Sequence, residues 1–141
     1  MNTPEHSRQP YYTPVEGIAI TFLYNRAFGS FFDFFGPKIF VDGAEIPGQR
    51  WGKADLLVPA GRHQVHVYTR YFFPPKTGPA DYTVVVPPGE FVELEYRAPV
   101  FTFARGSLGP PPQRYRGVWP VVALIGGGLL ILALMLLFAA L

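Results

Sequence analysis

The sequence contains no cysteine, which excludes disulfides, thiolate metal sites and cysteine nucleophiles. Charge is scarce as well. Asp, Glu, Lys and Arg make up 16% of the residues, and the net charge of +2 is too small and too scattered to indicate nucleic-acid binding. Lysine is rare beside arginine, and with abundant Ala, Gly, Pro and Val this bias is typical of a GC-rich bacterial genome.

Aromatic residues are plentiful by contrast, at 16% of the chain, the same fraction as the charged residues. The 16 prolines and 15 glycines together exceed a fifth of the 141 residues, which favours short strands and turns over long helices. A chain of this length fits one small domain with appendages.

No side chain from Gly117 to Leu141 carries a charge. About 20 helical residues, at about 1.5 Å each, cross a bilayer core roughly 30 Å thick, so we predict a transmembrane helix over residues 118–141. Pro120 falls in its first turn, where a missing N–H costs nothing. Trp119 lies where an interfacial aromatic belongs and is expected to contact the membrane.

Basic residues flank this segment on one side only. Arg105, Arg114 and Arg116 precede it and no basic residue follows it, so the positive-inside rule predicts a cytoplasmic N-terminal domain. The first 14 residues lack a basic patch followed by an apolar run, and no signal peptide contradicts this orientation. The expected product is a tail-anchored, single-pass protein of the cell membrane.

Small residues in the predicted helix could admit a second helix. Ala123 and Gly127 form a small-xxx-small pair, which permits close approach of a protein partner in the membrane. Small residues are also common in membrane helices without such a role, and both interpretations stay open.

The remaining chain divides into three parts. Residues 1–14 are polar and proline-punctuated and are expected to be disordered. Residues 104–117 form a Pro/Gly/Arg linker, which leaves 15–103 for a folded unit. Its apolar residues alternate with period two between turn signals such as Asp42-Gly43, so six or seven short strands are predicted. The predicted fold is mostly β, a small antiparallel β-sandwich.

Three segments resemble a known family: IFVDG (39–43), LLVPAGRHQVHVY (56–68) and VVVPPGEFVELEY (84–96). They are similar to PEGA-type and carboxypeptidase-regulatory-like β-sandwich domains, over about 60 residues. The resemblance implies a non-catalytic accessory module attached to a surface or membrane protein. The chain adds residues 26–37 and 69–81 to the short family repeat.

The first of these additions is rich in phenylalanine. Phe28, Phe31, Phe32 and Phe35 stand at i, i+3, i+4 and i+7, so a short amphipathic helix over 26–35 is predicted, with the four rings on one face. Four rings left in water would forfeit on the order of 10 kcal/mol, so a cover is required. Three covers are open: the protein's own sandwich, the bilayer interface or another protein.

Candidate catalytic groups are weak. His63 and His66 lie three apart on a predicted strand, point to opposite faces and cannot share one metal ion. Glu93, Glu95 and Arg97 are expected to form a solvated stripe on one strand. We therefore expect no catalytic, metal or cofactor-binding residues.

The expected function is a non-enzymatic binding or scaffolding module of a bacterial membrane assembly. The alternative is a lipid- or apolar-ligand-handling protein that uses helix 26–35 as a lid or membrane probe.

Overall fold

A computed structural model describes residues 15–27 and 30–140 of the chain. The predicted disordered tail 1–14, Phe28 and Leu141 lie outside the described residues. Eight strands, one short 3₁₀ helix and one α-helix follow in the order β1 (Gly17–Leu23), 3₁₀ helix (Ser30–Phe34), β2 (Pro37–Val41), β3 (Ala44–Ile46), β4 (Gly52–Leu57), β5 (Gly61–Arg70), β6 (Lys76–Val86), β7 (Phe91–Arg97), β8 (Ser107–Gly109) and α1 (Val118–Ala140).

The strands form two four-stranded sheets, with orders β4-β1-β7-β8 and β3-β2-β5-β6. All neighbouring strands are antiparallel except β1 and β7, which run parallel in the centre of the first sheet. Period-two alternation turns one face of each sheet inward. The mostly β fold with one C-terminal helix, predicted from the sequence, is confirmed, and the parallel pair is the departure from an all-antiparallel sandwich.

The core lies between the two sheets. Each sheet contributes inward-facing apolar side chains that are 8% exposed or less, among them Ile18, Ile20, Phe22, Leu94 and Tyr96 from the first sheet and Ile39, Val65, Val67, Val84 and Val86 from the second. The Tyr96 hydroxyl is buried and donates a hydrogen bond to the Gly78 carbonyl at 2.8 Å, which ties the first sheet to the second. Burial raises the pKa of this phenol.

The predicted turn at Asp42-Gly43 joins β2 to β3. Both residues have positive φ, 51° and 83°, as a two-residue hairpin turn requires. The register Val41↔Ala44 confirms the hairpin.

Two sequence boundaries are wrong. Residues 104–117 are not a free linker, because Ser107–Gly109 is strand β8 and pairs with β7. Phe101 and Phe103, whose alternation predicts a last strand for the unit 15–103, lie instead in the irregular segment before β8. Alternation over 101–103 was too short to distinguish a strand from a loop.

α1 is long and apolar enough to cross a membrane. It spans 23 residues, the mean hydropathy of its most apolar window is 2.8, and none of that window is buried against the rest of the protein. It is the one such helix among residues 15–27 and 30–140.

Candidate functional site

The helix-proximal end of the sandwich, the end at which α1 begins, carries most of the exposed aromatic surface. β1, β5 and β7 finish at this end, and β2, β4, β6 and β8 start from it. Loops 24–36, 47–51, 71–75 and 98–106 therefore meet here.

Trp51 fixes the position of the 3₁₀ helix at this end. Its indole Nε1–H lies 2.8 Å from the Phe32 carbonyl and 2.7 Å from the Phe35 carbonyl, so one donor serves both. The Phe32 carbonyl also accepts from the Phe35 N–H at 3.1 Å, whereas the Phe35 carbonyl, just beyond the helical turn, accepts from the indole. The Tyr24 hydroxyl also donates to Asp33. The short helix is thus held by side chains from outside it.

Phe32 is the ring that the sandwich covers. It is 4% exposed, and its centroid lies 6.1 Å from that of Tyr24, 6.0 Å from that of Trp51 and 5.9 Å from that of Tyr71. Phe35 is half-buried and meets Tyr71 at 6.1 Å. Self-packing is therefore the cover for Phe32 and in part for Phe35.

The predicted α-helix over 26–35 is wrong in extent and type. Among the described residues of this segment, 26–27 and 30–35, the helical part is Ser30–Phe34, and it is 3₁₀, with three residues per turn rather than 3.6. Phe31 and Phe32 consequently do not share a face, because Phe31 is 59% exposed while Phe32 is buried, and Phe28 lies outside the described residues. Gly29, Ser30 and the aromatic residues are weak helix formers, and the contacts of Trp51 select the tighter turn.

Five phenylalanines, defined here as the helix-proximal patch, are more than half exposed: Phe31, Phe34, Phe72, Phe73 and Phe103. They come from three different loops. Ring contacts link them to partly buried neighbours, Phe72 to Phe35 at 5.1 Å, and Phe103 to both Phe73 at 6.0 Å and Phe101 at 5.5 Å. Sequence reasoning found Phe31 and missed the other four, since their exposure depends on the loop arrangement.

The segment before α1 is folded onto the sandwich. The Ser107 hydroxyl donates to the Arg114 carbonyl at 2.7 Å, and the Gln113 N–H donates to Glu95 at 3.1 Å. The Val100 N–H donates to the Arg116 carbonyl at 2.9 Å. α1 therefore begins within two residues of a contact with the domain.

Tyr115 strengthens the same junction. The Arg97 guanidinium lies 4.7 Å from the centroid of the Tyr115 ring, and Arg97 Nε donates to Glu95 at 2.5 Å. Glu95 is only 8% exposed, so the expected solvated stripe on β7 is wrong at its centre. The cause is residues 110–115, which cover this part of β7.

The charges of this end are mainly basic. Seven basic side chains stand in its loops, at the strand ends that border them or, for Arg116, next to the start of α1: Arg26, Arg50, Arg70, Lys76, Arg97, Arg105 and Arg116. Asp33 is the one carboxylate in the same segments. Arg105 and Arg116 line one shallow depression, whereas Arg114 is exposed beyond it.

The predicted contact residues on α1 stand free of the domain. Trp119 is 81% exposed, and the side chains over Val122–Ala140 are exposed throughout. Nothing lies within 4 Å of where a Cβ at Gly127 would stand. Ala123 is equally exposed. Both positions are therefore open to lipid or to another helix.

The two histidines of β5 are separate, as predicted. His63 Nδ1 lies 2.6 Å from Asp42 and its Nε2 lies 2.6 Å from the Pro59 carbonyl, while His66 pairs with Asp81. The hydrogen bond to Asp42 is the main cause that raises the pKa of His63. Within the described residues, no group of three or more His, Cys, Asp or Glu side chains could hold a metal ion.

Glu16 was missed by sequence reasoning. Its carboxylate accepts from the N–H groups of Ala60 at 2.7 Å and Gly89 at 2.9 Å, joining two turns at the end of the sandwich opposite α1. These hydrogen bonds lower the pKa of Glu16. A lone acidic residue before a strand gives no signal of such a role.

Comparison of the chain with protein-family models, with curated proteins and with solved structures finds no match in any of the three. The resemblance to PEGA-type and carboxypeptidase-regulatory-like domains stays a prediction from turn sequences.

Proposed function

We propose that the chain is a single-pass protein of a bacterial cell membrane, whose cytoplasmic head is a non-enzymatic binding or scaffolding module of a membrane assembly. α1 would span the bilayer, and the β-sandwich would stand directly on the cytoplasmic surface. The proposed partner is another protein of the same membrane.

The observation that carries this proposal is the packed junction between the β-sandwich and the start of α1. Residues 105–117 are folded against β7 and the 98–106 loop, so the sandwich has a fixed place relative to the start of α1. A flexible linker would let the head sample many positions, whereas a short, packed junction presents its surfaces at one height. Such a geometry suits a module that positions other components.

The membrane helix offers a contact for the partner. The side chains of α1 have no contact with the sandwich in the apolar window, and Ala123 and Gly127 leave a small-residue face open. Close backbone approach at such positions stabilises helix pairs in lipid. This supports an intramembrane protein contact at the Ala123–Gly127 face.

Matched substitutions test this contact. Gly127→Leu would fill the face, while Gly128→Leu adds the same volume about 100° around the helix. In mild detergent, the full-length wild type should migrate on native gels as a discrete complex larger than its micelle-bound monomer. Gly127→Leu should shift it to the monomer, and Gly128→Leu should not. A monomeric wild type, or equal effects of both variants, would contradict the proposal.

The orientation rests on Arg105, Arg114 and Arg116, which lie shortly before α1. The cysteine-free sequence allows a direct test with one introduced cysteine in the head, at exposed Leu57. In intact cells a membrane-impermeant maleimide should label Leu57→Cys only after the membrane is permeabilised. Full labelling before permeabilisation would reverse the topology.

A second candidate function is lipid or apolar-ligand handling, and the exposure of Phe31 and Phe34 favours it. The expected signature is accelerated transfer of a fluorescent phospholipid between vesicles by the full-length chain. That acceleration should fall in Phe31→Ser/Phe34→Ser and persist in Val85→Ser, an exposed apolar position on β6. If the wild type does not accelerate transfer, lipid handling is contradicted and the scaffold proposal is favoured.

A further inference from the structure

We propose that the helix-proximal patch inserts into the interface of the bilayer that α1 spans, so that its partner is an anionic lipid surface. The inference rests on the proposed membrane position of α1. It adds a second contact between head and membrane, made by Phe31, Phe34, Phe72, Phe73 and Phe103.

The patch is continuous with the start of α1. A Cβ at Gly117 would lie 2.9 Å from Phe101 Cβ, so the last residue before α1 touches the aromatic loop. The Phe101 ring then meets Phe103 at 5.5 Å, and Phe103 meets Phe73 at 6.0 Å. A bilayer that receives α1 from residue 118 onward therefore begins beside these rings.

The exposed apolar area is as large as that of patches which are often functional. A phenylalanine carries about 150 Å² or more of surface, and the five rings are between 59% and 83% exposed. Together they leave roughly 540 Å² in contact with solvent, in the upper part of the range of about 300–600 Å² for the largest patch on a typical monomer. Rings of this kind are stable at the headgroup level of a membrane.

The charges around the patch complement anionic headgroups. Arg26, Arg70 and Arg105 lie in or beside the three loops that supply the rings. Asp33 is the one carboxylate within the described residues of those loops, and Asp81 lines the depression beside Arg105. Each basic side chain near an anionic leaflet adds attraction that falls off within a Debye length. Exposed phenylalanines with arginines in the same loops are typical of binding at the membrane interface.

The geometry favours lipid over a soluble protein as the occupant. The rings flank the point where α1 leaves the sandwich, and the packed junction 105–117 holds this end close to the helix start. A folded partner would have to enter the space between the head and the bilayer, whereas headgroups already fill it.

Spin labels on single cysteines test the proposal in the full chain, since the natural sequence contributes no cysteine. Phe73→Cys and Phe34→Cys are labelled separately, with Leu57→Cys as an exposed apolar control at the opposite end of the sandwich. After reconstitution into phosphatidylcholine vesicles with and without phosphatidylglycerol, accessibility to oxygen is compared with accessibility to a water-soluble nickel chelate. Circular dichroism checks that each labelled variant is folded.

The patch labels should show an oxygen-to-nickel accessibility ratio several-fold above that of the Leu57 label, and phosphatidylglycerol should raise it further. Equal ratios at Phe73, Phe34 and Leu57 would overturn the proposal. A high accessibility ratio at the patch labels that does not rise with phosphatidylglycerol would overturn the anionic preference. Patch labels that are water-exposed in vesicles but shielded in native membranes would assign the patch to a protein instead.

A label at Leu130 on α1 separates this inference from the proposed function. An oxygen-rich Leu130 label with water-exposed patch labels would mean that α1 spans the bilayer and the head stands clear of it. A water-exposed Leu130 label would overturn the membrane position of α1 itself.

Discussion

The N–H of Val100 donates to the carbonyl of Arg116 at 2.9 Å, which fastens the start of the C-terminal helix to the β-sandwich. The two residues belong to segments that the sequence assigns to different parts, a domain and a linker. Their contact makes the domain and the helix start one structural unit.

Gly117 is the residue on which this junction most depends. It has φ of 81°, and an added Cβ would lie 2.9 Å from Phe101 Cβ and 3.0 Å from Ala104 Cβ. Gly117→Ala should therefore lower the free energy of unfolding by about 1–2 kcal/mol from the left-handed backbone alone. Urea denaturation of the full chain in mild detergent measures this. Gly126→Ala, where nothing lies within 4 Å, is the control and should have no such effect.

Trp51→Phe tests the support of the 3₁₀ helix. The indole N–H serves the carbonyls of Phe32 and Phe35, and phenylalanine keeps the ring but removes the donor. The expected loss is about 1–3 kcal/mol of unfolding free energy, because the Phe35 carbonyl loses the indole donor in a partly buried site, while the Phe32 carbonyl keeps the Phe35 N–H. Circular dichroism in urea follows it. Trp119→Phe, at an exposed position, should unfold like the wild type, and an unchanged midpoint for Trp51→Phe would refute the role.

His63 makes the stability depend on pH. Both ring nitrogens face acceptors, Asp42 and the Pro59 carbonyl, so the doubly protonated ring is favoured, and the pKa of His63 is raised above its ordinary 6.5. This contribution is complete below pH 6.5 and is lost as the pH rises through the folded value. The pKa of Asp42 is lowered below 3.8, chiefly by His63, so its contribution is complete above pH 3.8 and disappears as the pH falls through the folded value.

The pair should accordingly stabilise the fold most between pH 3.8 and 6.5. In thermal melts, the wild type should lose stability from about pH 5.5 to about pH 8.5 more steeply than His63→Gln. Val85→Ser, at an exposed position on β6 that carries no titratable group, should keep the wild-type slope. Parallel slopes for the wild type and His63→Gln would show that the pair contributes nothing.

Glu16→Gln tests the link between the turns at Ala60 and Gly89. Glutamine keeps the size of the side chain but has one carbonyl oxygen where the carboxylate has two acceptors, so only one of the two N–H groups stays satisfied. We expect a lower melting temperature near neutral pH. Because the pKa of Glu16 is lowered, the gap from the wild type should narrow as the pH falls through the folded value. Glu90→Gln, at a neighbouring exposed carboxylate, should melt like the wild type.

Much of the fold could be predicted from local chemistry. Period-two alternation predicted the strands, as in β1, where the alternating Ile18, Ile20 and Phe22 lie in the core. Asp42-Gly43 predicted the turn of the hairpin, and both signals act over a few residues. The apolar run gave α1 for the same reason. The parallel pairing of β1 with β7 could not be predicted, because it joins segments about 70 residues apart in the chain.

The candidate site was predicted only in part. The spacing of Phe28, Phe31, Phe32 and Phe35 suggested an α-helix because each ring was counted against a period of 3.6, but Trp51 imposes a tighter turn through contacts 16 and 19 residues away. Phe72, Phe73 and Phe103 carry no periodic signal, and only the meeting of three loops makes them one surface. A short stretch of sequence gives no signal of such long-range contacts.

β6 runs for 11 residues from the end near α1 to the opposite one, a length of about 35 Å at about 3.3 Å per residue. Because the helix-proximal end of the sandwich is packed onto the start of α1, the sandwich holds the turns beside Glu16 and Gly89 at a set distance from that start. On a membrane, a ligand bound at these turns would be held in a thin layer parallel to the bilayer. Its effective concentration in that layer would not be lowered by the motion of a flexible linker.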